Sequence, residues 1–341
     1  MKTIDIMGNK ISEESLEMSD LVLSVYTDKV GLLDTNKLDS CYKYGYEAVM
    51  NNLDNIYKKT EKIIINDNSK FVIMSDCHRG TGDNYDNFLK NKNICDAALK
   101  YYLNNSFSYI ELGDGDEMCE VKNYHDIIDM YLDTFKFLKM FHEKNRLFMI
   151  YGNHDIIKKD KKILEEYFYT YYNESLKKQE ALLKNLKIYE ALILSYKNKN
   201  IFLIHGHQVD FFNNKLWKIS RFFVKTLWRF FERIGISDPT SAAKNYLVRK
   251  NVEKKLQKWS IKNNTILIAG HTHRPVFPHV GNSLYFNDGS CIHPNGITCI
   301  EIENGCISLI RWELSSNSEG YIYAERKVLA EKEKIINFFT D

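Results

Sequence analysis

Five short apolar runs in this sequence each lead into a polar segment that contains histidine or carboxylate side chains. The runs are residues 71–74, 109–112, 147–151, 201–204 and 265–269. Their length and apolar character are typical of strands buried on both faces. In open α/β sheets, ligands collect outside the carboxyl ends of the strands, so five such ends can converge on one site. The sequence therefore predicts an α/β fold with its functional site at the strand ends.

The first run shows the kind of chemistry that these ends offer. Asp76 and His78 follow it two residues apart, and an extended backbone points both side chains the same way. A carboxylate beside an imidazole suits a divalent metal or a proton relay. Six of the ten histidines lie at the five ends, namely His78, His154, His205, His207, His271 and His273. This concentration excludes chance placement.

The candidate ligands are carboxylates, imidazoles and one carboxamide. They are Asp76, His78, Asp114, Asn153, His205, His271 and His273. Oxygen and nitrogen ligands in this mixture suit Mn²⁺, Fe, Zn²⁺ or Co²⁺ rather than a structural zinc knot, and we expect manganese first. Seven ligands are too many for one ion but enough for two if one carboxylate bridges. Two metals about 3.5–4 Å apart can clamp the attacking and leaving oxygens of a phosphoryl displacement.

The ordered series of motifs resembles the calcineurin-like metallophosphoesterases. The series is Asp76-x-His78, Gly113-Asp114-x-x-Glu117, Gly152-Asn153-His154-Asp155, His205 and Gly270-His271-Thr272-His273, and it covers about residues 71–290. The resemblance implies an α/β domain at residues 63–314, built as a two-sheet β-sandwich flanked by helices. It also implies a dinuclear metal site at the strand ends, in an enzyme that hydrolyses a phosphomonoester, phosphodiester or pyrophosphate bond.

The same resemblance assigns a role to each matching residue. One ion would be held by Asp76, His78, Asp114 and His273, and the other by Asp114, Asn153, His205 and His271. A hydroxide bridging both metals would attack phosphorus in line. His154 would donate a proton to the leaving alkoxide or stabilise the phosphoryl oxygens, and Asp155 would orient it.

One departure leaves the substrate subclass open. The ending His271–Pro275 is similar to that of the branch that cleaves UDP-2,3-diacylglucosamine, but that branch carries His-Gly-Asp where this chain has His205-Gly206-His207. For Arg79 we expect a contact with a substrate phosphate, against a solvated or structural arginine. For His207 we expect a substrate contact, against a position behind the metal ligands.

Three further segments are predicted around the domain. Residues 1–62 form an N-terminal helical extension, residues 211–260 a helical cap insertion, and residues 315–341 a closing amphipathic helix. From about residue 283 onward the apolar runs predict a second, more antiparallel sheet, with a hairpin turn at Asn304-Gly305.

The cap is basic and aromatic, with 12 Lys or Arg against three Asp or Glu. Three interpretations stay open. It could lie on an anionic membrane and admit a lipid-linked phosphate substrate. It could follow a nucleic-acid backbone, which we rank below the membrane. It could also be a lid whose basic face is simply solvated.

The remaining sequence features bound the class of protein. Seven scattered cysteines without a CxxC pair fit a reducing compartment, and the first residues contain no apolar signal segment. We therefore expect a cytoplasmic location. If the cap binds lipid, we expect the protein at the inner face of the membrane. A nuclease of the same superfamily is the alternative enzyme. A non-catalytic scaffold of the same fold predicts missing ligands, and none is missing.

Overall fold

The structure is a computed structural model that describes residues 60–209 and 246–339. The chain divides into two units, residues 1–61 and 62–341, and the following description concerns the second. The predicted N-terminal extension lies outside the described residues, except that Thr60–Lys62 already belong to a strand. Residues 211–245 of the predicted cap also lie outside them.

The larger sheet combines a parallel and an antiparallel half. Its strand order is β14-β13-β12-β2-β3-β4-β7, with β2, β3, β4 and β7 parallel and β12, β13 and β14 antiparallel to their neighbours. The bounds are β2 Lys70–Met74, β3 Ser108–Leu112, β4 Leu147–Ile150, β7 Ile188–Tyr189, β12 Gly296–Glu303, β13 Cys306–Ser316 and β14 Ile322–Lys334.

The smaller sheet has the order β1-β8-β9-β10-β11. Strands β9, β10 and β11 are parallel, and β8 is antiparallel to β9. The bounds are β1 Thr60–Ile65, β8 Ala191–Tyr196, β9 Lys199–Ile204, β10 Ile266–Ala269 and β11 Tyr285–Asn287. A separate hairpin pairs β5 Thr170–Asn173 with β6 Lys178–Ala181.

The longer helices cover the outer faces of both sheets. They are α1 Lys92–Asn104, α2 His125–Met130, α3 Leu132–Glu143 and α4 Tyr246–Lys262. Short helical turns lie at Leu89–Asn91, Ile156–Lys159, Lys161–Ile163, Leu164–Phe168, His207–Val209 and Ile335–Phe338. Within the described residues, no helix has the length and apolar character that crossing a membrane requires.

Strand β2 shows how the layers arise from the sequence. Its residues Phe71 and Ile73 pack in one apolar cluster with residues of both sheets, so the two sheets lie face to face. Val72 and Met74, which point the opposite way, pack in a second cluster with α1 and α3. All four side chains are buried because both faces of the strand are covered. The predicted two-sheet α/β fold flanked by helices is confirmed.

The second sheet is assembled differently from the prediction. The antiparallel strands β12 and β13 extend the sheet that contains β2, while β11 joins β10 in the other sheet. The predicted hairpin is present, since Asn304 and Gly305 connect β12 to β13 with positive φ at both residues.

The predicted closing helix over residues 315–341 is wrong. Strand β13 continues to Ser316, and β14 then pairs with it in antiparallel register from Ile322 to Lys334. The strand carries three consecutive charged residues, Glu325, Arg326 and Lys327, and all its residues are exposed or half-buried, which suits an edge strand. Ten residue pairs along a long neighbouring strand outweighed the helical propensity of Ala, Glu and Lys.

The core can be tested on a single strand. Ile310 of β13 is fully buried between the sheet and the helices, whereas Leu314 of the same strand is 54% exposed. We expect Ile310→Ala to lower the free energy of unfolding by about 2–5 kcal/mol, since it leaves a cavity. Leu314→Ala is the matched control and should change it by less than about 0.5 kcal/mol. Urea denaturation measures both, and equal effects would contradict this packing.

Candidate metal centre

The structure brings the seven predicted ligands to one edge of the sandwich. Asp76 and His78 follow β2, Asp114 follows β3, and Asn153 follows β4 in the larger sheet. The others come from the smaller sheet: His205 follows β9, and His271 and His273 follow β10. The five ends are therefore divided between two sheets, and they meet because the sheets pack face to face.

Two groups of these side chains have the spacing of metal ligands. Asp76, His78 and His273 form one group, and Asp114, His205 and His271 form the other; in each group one ligand atom per residue lies within 4.8 Å of the others. A third group links His78 and Asp114 to His154. Each of the two main groups contains three of the four residues that the resemblance implies for one ion.

Asp114 lies between the two groups. Its Oδ2 is 3.1 Å from His205 Nε2 and 3.9 Å from His78 Nε2. Asp76 Oδ1 is 3.0 Å from His273 Nε2 and 3.7 Å from His78 Nε2. One carboxylate oxygen of Asp114 thus faces the imidazoles of both groups.

Hydrogen bonds on the far side of the rings fix which nitrogen faces the site. His205 Nδ1 donates to the carbonyl oxygen of Leu112 at 2.9 Å, so its Nε2 is directed to Asp114. His78 Nδ1 donates to Glu117 Oε2 at 2.9 Å, so its Nε2 is likewise directed inward. Such partners are typical of metal-binding histidines, because they select the tautomer and orient the ring.

Buried atoms without hydrogen bonds test whether these residues fit metal ions. In the part of the chain that the structure describes, Asn153 Oδ1 is buried and has no hydrogen-bond partner, and Asp76 Oδ1 and His205 Nε2 are buried beside His273 and Asp114 without a hydrogen bond of good geometry. Burying such polar atoms without a partner costs free energy. All three belong to predicted ligands. A divalent cation would satisfy them, and the donor set of oxygen and imidazole nitrogen fits it chemically.

The backbone around the site is also unusual. Five predicted ligands have positive φ, a conformation that non-glycine residues rarely adopt, namely Asp76, His78, Asp114, His271 and His273. Neighbouring glycines allow close approach: a Cβ on Gly113 would lie 2.6 Å from the His205 ring, and one on Gly152 would lie 2.1 Å from Asp114 Oδ1. The glycines of the motifs are thus explained by crowding among the ligands.

The carboxylates stay ionised despite complete burial. Burial by itself raises the pKa of Asp76, but His273 and His205 outweigh it and hold the pKa well below its usual range. Burial also raises the pKa of Asp114, but His205 and His154 outweigh it and hold that pKa well below its usual range. The site therefore concentrates negative charge that is balanced by imidazoles.

His154 lies at the rim, with its side chain about a third exposed. Its backbone N–H donates to Asp114 Oδ1 at 2.8 Å, and its Nδ1 donates to Glu117 Oε1 at 2.7 Å. Burial lowers the pKa of His154, but Glu117 and Asp114 outweigh burial and raise the pKa to about 9. The imidazole is therefore held in its protonated form at neutral pH.

Asp155 does not orient His154, contrary to the prediction. Its carboxylate accepts the backbone N–H groups of Gly152 at 2.7 Å and Gly115 at 3.1 Å, and it accepts Lys158 Nζ at 2.7 Å. Glu117 has the orienting position instead, and it contacts His78 as well as His154. Asp155 fixes the two loops that carry the ligands.

Arg79 belongs to a buried ion-pair cluster under these loops, which we define as Arg79, Lys158, Glu111, Asp116 and Asp155. The guanidinium of Arg79 donates to Glu111 at 2.8 and 2.9 Å and to Asp116 at 2.5 Å. Lys158 Nζ lies 2.7 Å from Asp116 and from Asp155. Arg79 is only 1% exposed, so the predicted contact with a substrate phosphate is contradicted and the structural alternative holds.

His207 is buried behind His205, with 5.5 Å between the two ring centroids. Burial, and then the charges of His205 and His271, hold the pKa of His207 well below its usual range. A buried neutral imidazole fits a supporting position, which was the alternative to a substrate contact.

Some residues at the site were missed in the sequence. Glu111 is a charged residue inside an apolar run, and this was the available signal for the ion-pair cluster. Ser75 and Asp288 lie against Asp76, since the Ser75 hydroxyl contacts Asp76 and is 2.9 Å from Asp288 Oδ1. Asp288 lies 213 residues after Ser75 in the chain, so no local pattern in the sequence indicates this contact.

Comparison with known proteins gives a family. A family model described as Calcineurin-like phosphoesterase matches residues 69–275. No curated protein matches the sequence.

Two solved structures are similar over most of their length. A conserved uncharacterised protein of Streptococcus pneumoniae TIGR4, described as a predicted phosphoesterase, is 13% identical over 76% of this chain and 97% of its own, with a TM-score of 0.31. Vps29 of Chaetomium thermophilum is 9% identical over 79% of this chain and 100% of its own, with a TM-score of 0.37. At these TM-scores neither likeness carries an argument about function.

The buried ion-pair cluster predicts a large effect of one lysine. Lys158→Met leaves Asp116 and Asp155 without their shared cation, and we expect the free energy of unfolding to fall by about 3–5 kcal/mol. Lys161→Met removes a lysine that is 79% exposed and pairs with Glu165 at the surface, and it should cost at most about 1 kcal/mol. Urea denaturation of both variants decides. A Lys158→Met protein as stable as Lys161→Met would contradict the assigned cluster.

Proposed function

This chain belongs to the calcineurin-like phosphoesterase family, and from that premise we propose that it is a dinuclear metal-dependent hydrolase of phosphate esters. The family and the clustered ligand groups support a metal-dependent phosphoesterase. The proposal goes further in naming two ions and the residues that would hold them.

The observation that carries the proposal is the position of Asp114 between two ligand groups. Its Oδ2 faces His205 Nε2 on one side and His78 Nε2 on the other. A bridging carboxylate is what allows seven ligands to serve two ions. Asp76, His78, Asp114 and His273 would hold one ion, and Asp114, Asn153, His205 and His271 the other.

Two bound divalent ions would supply Lewis acidity, which activates a water and neutralises charge on the phosphate oxygens. The chain itself orients these ligands. Glu117 and the carbonyl oxygen of Leu112 fix the rings of His78 and His205 from behind. Asp155 ties the loops after β3 and β4 together through Gly115 and Gly152.

His154 would supply the proton in the reaction. It lies at the rim, its Nδ1 is engaged by Glu117, and the Glu117 carboxylate raises the pKa of His154, which favours the protonated ring. The Nε2–H is therefore the group that can donate to the leaving oxygen of a bound ester. This role requires no contribution from Asp155, so we replace the predicted His154–Asp155 pair by His154 and Glu117.

The substrate is proposed to carry negative charge beyond the scissile phosphate. Helix α4 carries exposed lysines at a spacing of four, at positions 250, 254, 258 and 262. The same helix is tied to the site, because Thr272, between two ligands, donates to Glu253 at 3.2 Å. Lys250 and Lys254, within one helical turn of Glu253, would attract an anionic substrate. The scissile bond itself stays proposed as a monoester, diester or pyrophosphate.

Metal dependence is the first test. Protein stripped of metal should hydrolyse neither p-nitrophenyl phosphate nor bis-p-nitrophenyl phosphate, and titration with Mn²⁺ should restore activity on at least one of them. Asp114→Asn should lower kcat by roughly a hundredfold or more, because it removes a ligand shared by both ions. Asp129→Asn, at an exposed position of helix α2, is the matched control and should leave kcat unchanged.

The two outcomes of this titration are distinct. Activity that does not depend on added metal, or that is retained in Asp114→Asn, would overturn the proposal of a dinuclear site. The ratio of monoester to diester hydrolysis then narrows the substrate class.

The proton donor predicts a dependence on the leaving group. His154→Gln should slow hydrolysis of an alkyl phosphate by about 10²–10⁴-fold, since alkoxide leaves poorly without a proton. Hydrolysis of p-nitrophenyl phosphate should slow far less, because p-nitrophenolate leaves without help. Glu117→Gln should shift rates in the same direction, and His125→Gln, an exposed histidine, serves as control. An equal loss on both esters would mean that His154 only binds the phosphate.

A further inference from the structure

One cluster of metal-binding side chains is not used by the proposed reaction. Glu117, Cys119 and His154 each offer a ligand atom within 4.8 Å of the other two. All three side chains are partly exposed, in contrast to the fully buried Asp76 and His205. We call this cluster the rim triad. It lies beside the dinuclear site and is open to ions from solution.

The chemistry of the rim triad differs from that of the dinuclear site. None of the seven predicted ligands is a thiol, whereas the rim triad combines a thiol, an imidazole and a carboxylate. This set is typical of Zn²⁺ and of softer divalent ions, for which thiolate adds affinity. Mn²⁺ prefers oxygen and gains little from sulfur. The two places should therefore select different ions.

We propose that Glu117, Cys119 and His154 form a third, inhibitory cation site for Zn²⁺ or a similarly thiophilic divalent ion. The residues are already close to the required arrangement: Glu117 Oε1 is 2.7 Å from His154 Nδ1. The Cys119 thiol donates to the carbonyl oxygen of Asn153 at 3.5 Å, which is long for an ordinary hydrogen bond but acceptable for sulfur. A cation would replace these contacts without a change of fold.

Binding of a divalent ion at the rim triad would release two protons, which balances the charge of the ion. The ion displaces the thiol proton of Cys119 and the proton on the His154 nitrogen that faces Glu117, and both protons pass to solvent. Glu117 is already ionised and releases none.

Occupation of the rim triad would switch off the reaction, an inference that rests on the proposed function. With a cation on Nδ1, His154 would keep its Nε2–H, but giving that proton to the leaving group would then produce an imidazolate, so proton donation would become far weaker. Glu117 would be drawn from His78, whose ring it fixes. The chain would then hydrolyse its substrate with Mn²⁺ in the dinuclear site and lose activity when Zn²⁺ fills the rim triad.

The binding test does not depend on activity. Full-length protein is titrated with Co²⁺ as a spectroscopic probe, and the last equivalent should produce the near-ultraviolet absorption of a thiolate–cobalt bond. Cys119→Ser should lack that absorption. Cys306→Ser, which removes another partly exposed thiol in β13, should retain it. In parallel, Zn²⁺ should protect Cys119 from alkylation, as read by peptide mass spectrometry, while Cys306 stays reactive.

The inhibition test uses the Mn²⁺-loaded enzyme. Zn²⁺ should inhibit wild-type protein, and in Cys119→Ser the inhibiting concentration should rise at least about tenfold when the rate of each protein is expressed relative to its own rate without zinc. Equal inhibition of both proteins would show that Zn²⁺ acts by displacing Mn²⁺, and it would overturn the inhibitory role. Absence of both the cobalt absorption and the protection of Cys119 would overturn the site itself. A protein that is inactive but shows both the cobalt absorption and the protection of Cys119 would overturn the proposed function and support the cation site.

Discussion

Two carboxylates, Asp76 and Asp114, are buried with their charges at the ends of adjacent parallel strands, and the surrounding structure compensates that charge. Removing an ionised carboxylate from water is expensive unless cations or hydrogen bonds replace the water. Here imidazoles from both sheets provide the compensation, together with backbone N–H groups of His154 and His271. Neither sheet alone could supply it. The site therefore depends on the packing of the two sheets, because that packing brings the compensating imidazoles to the buried carboxylates.

A second layer of charge supports this arrangement. The buried ion-pair cluster holds the backbone of the loops through Asp155, which accepts N–H groups from the segments after β3 and β4. Arg79 and Lys158 keep that region from accumulating unpaired negative charge beneath Asp114. The positive φ of Asp114 is strain that persists only when its surroundings over-determine it. The ion-pair cluster fixes the loops after β3 and β4, and these fixed loops can hold ligands in strained backbone conformations.

The strand ends and ligand types follow local rules, so they predicted an α/β class with ligand-type side chains at one edge, whereas the two-sheet sandwich and the division of the ligands between two ions were implied by the family resemblance. Prediction from the sequence failed where partners come from distant segments. Arg79 directly follows a ligand, yet its partners Glu111 and Asp116 lie more than thirty residues away, and only the fold shows that it points inward. The C-terminal strand was predicted as a helix because helical propensity depends only on the local sequence. Its strand structure depends on pairing with β13, which the local sequence does not show.

The distinction between Asp155 and Glu117 shows the same limit at the level of chemistry. In the sequence, Asp155 is adjacent to His154, and the family resemblance implied that it orients the ring. In the structure, Glu117 reaches both His154 and His78 with its two carboxylate oxygens. A predicted metal ligand and the proposed proton donor therefore share one acceptor. Whatever withdraws Glu117, whether a proton, a substitution or a cation, must alter both imidazoles at once, so metal binding and proton donation in this site are coupled through a single side chain.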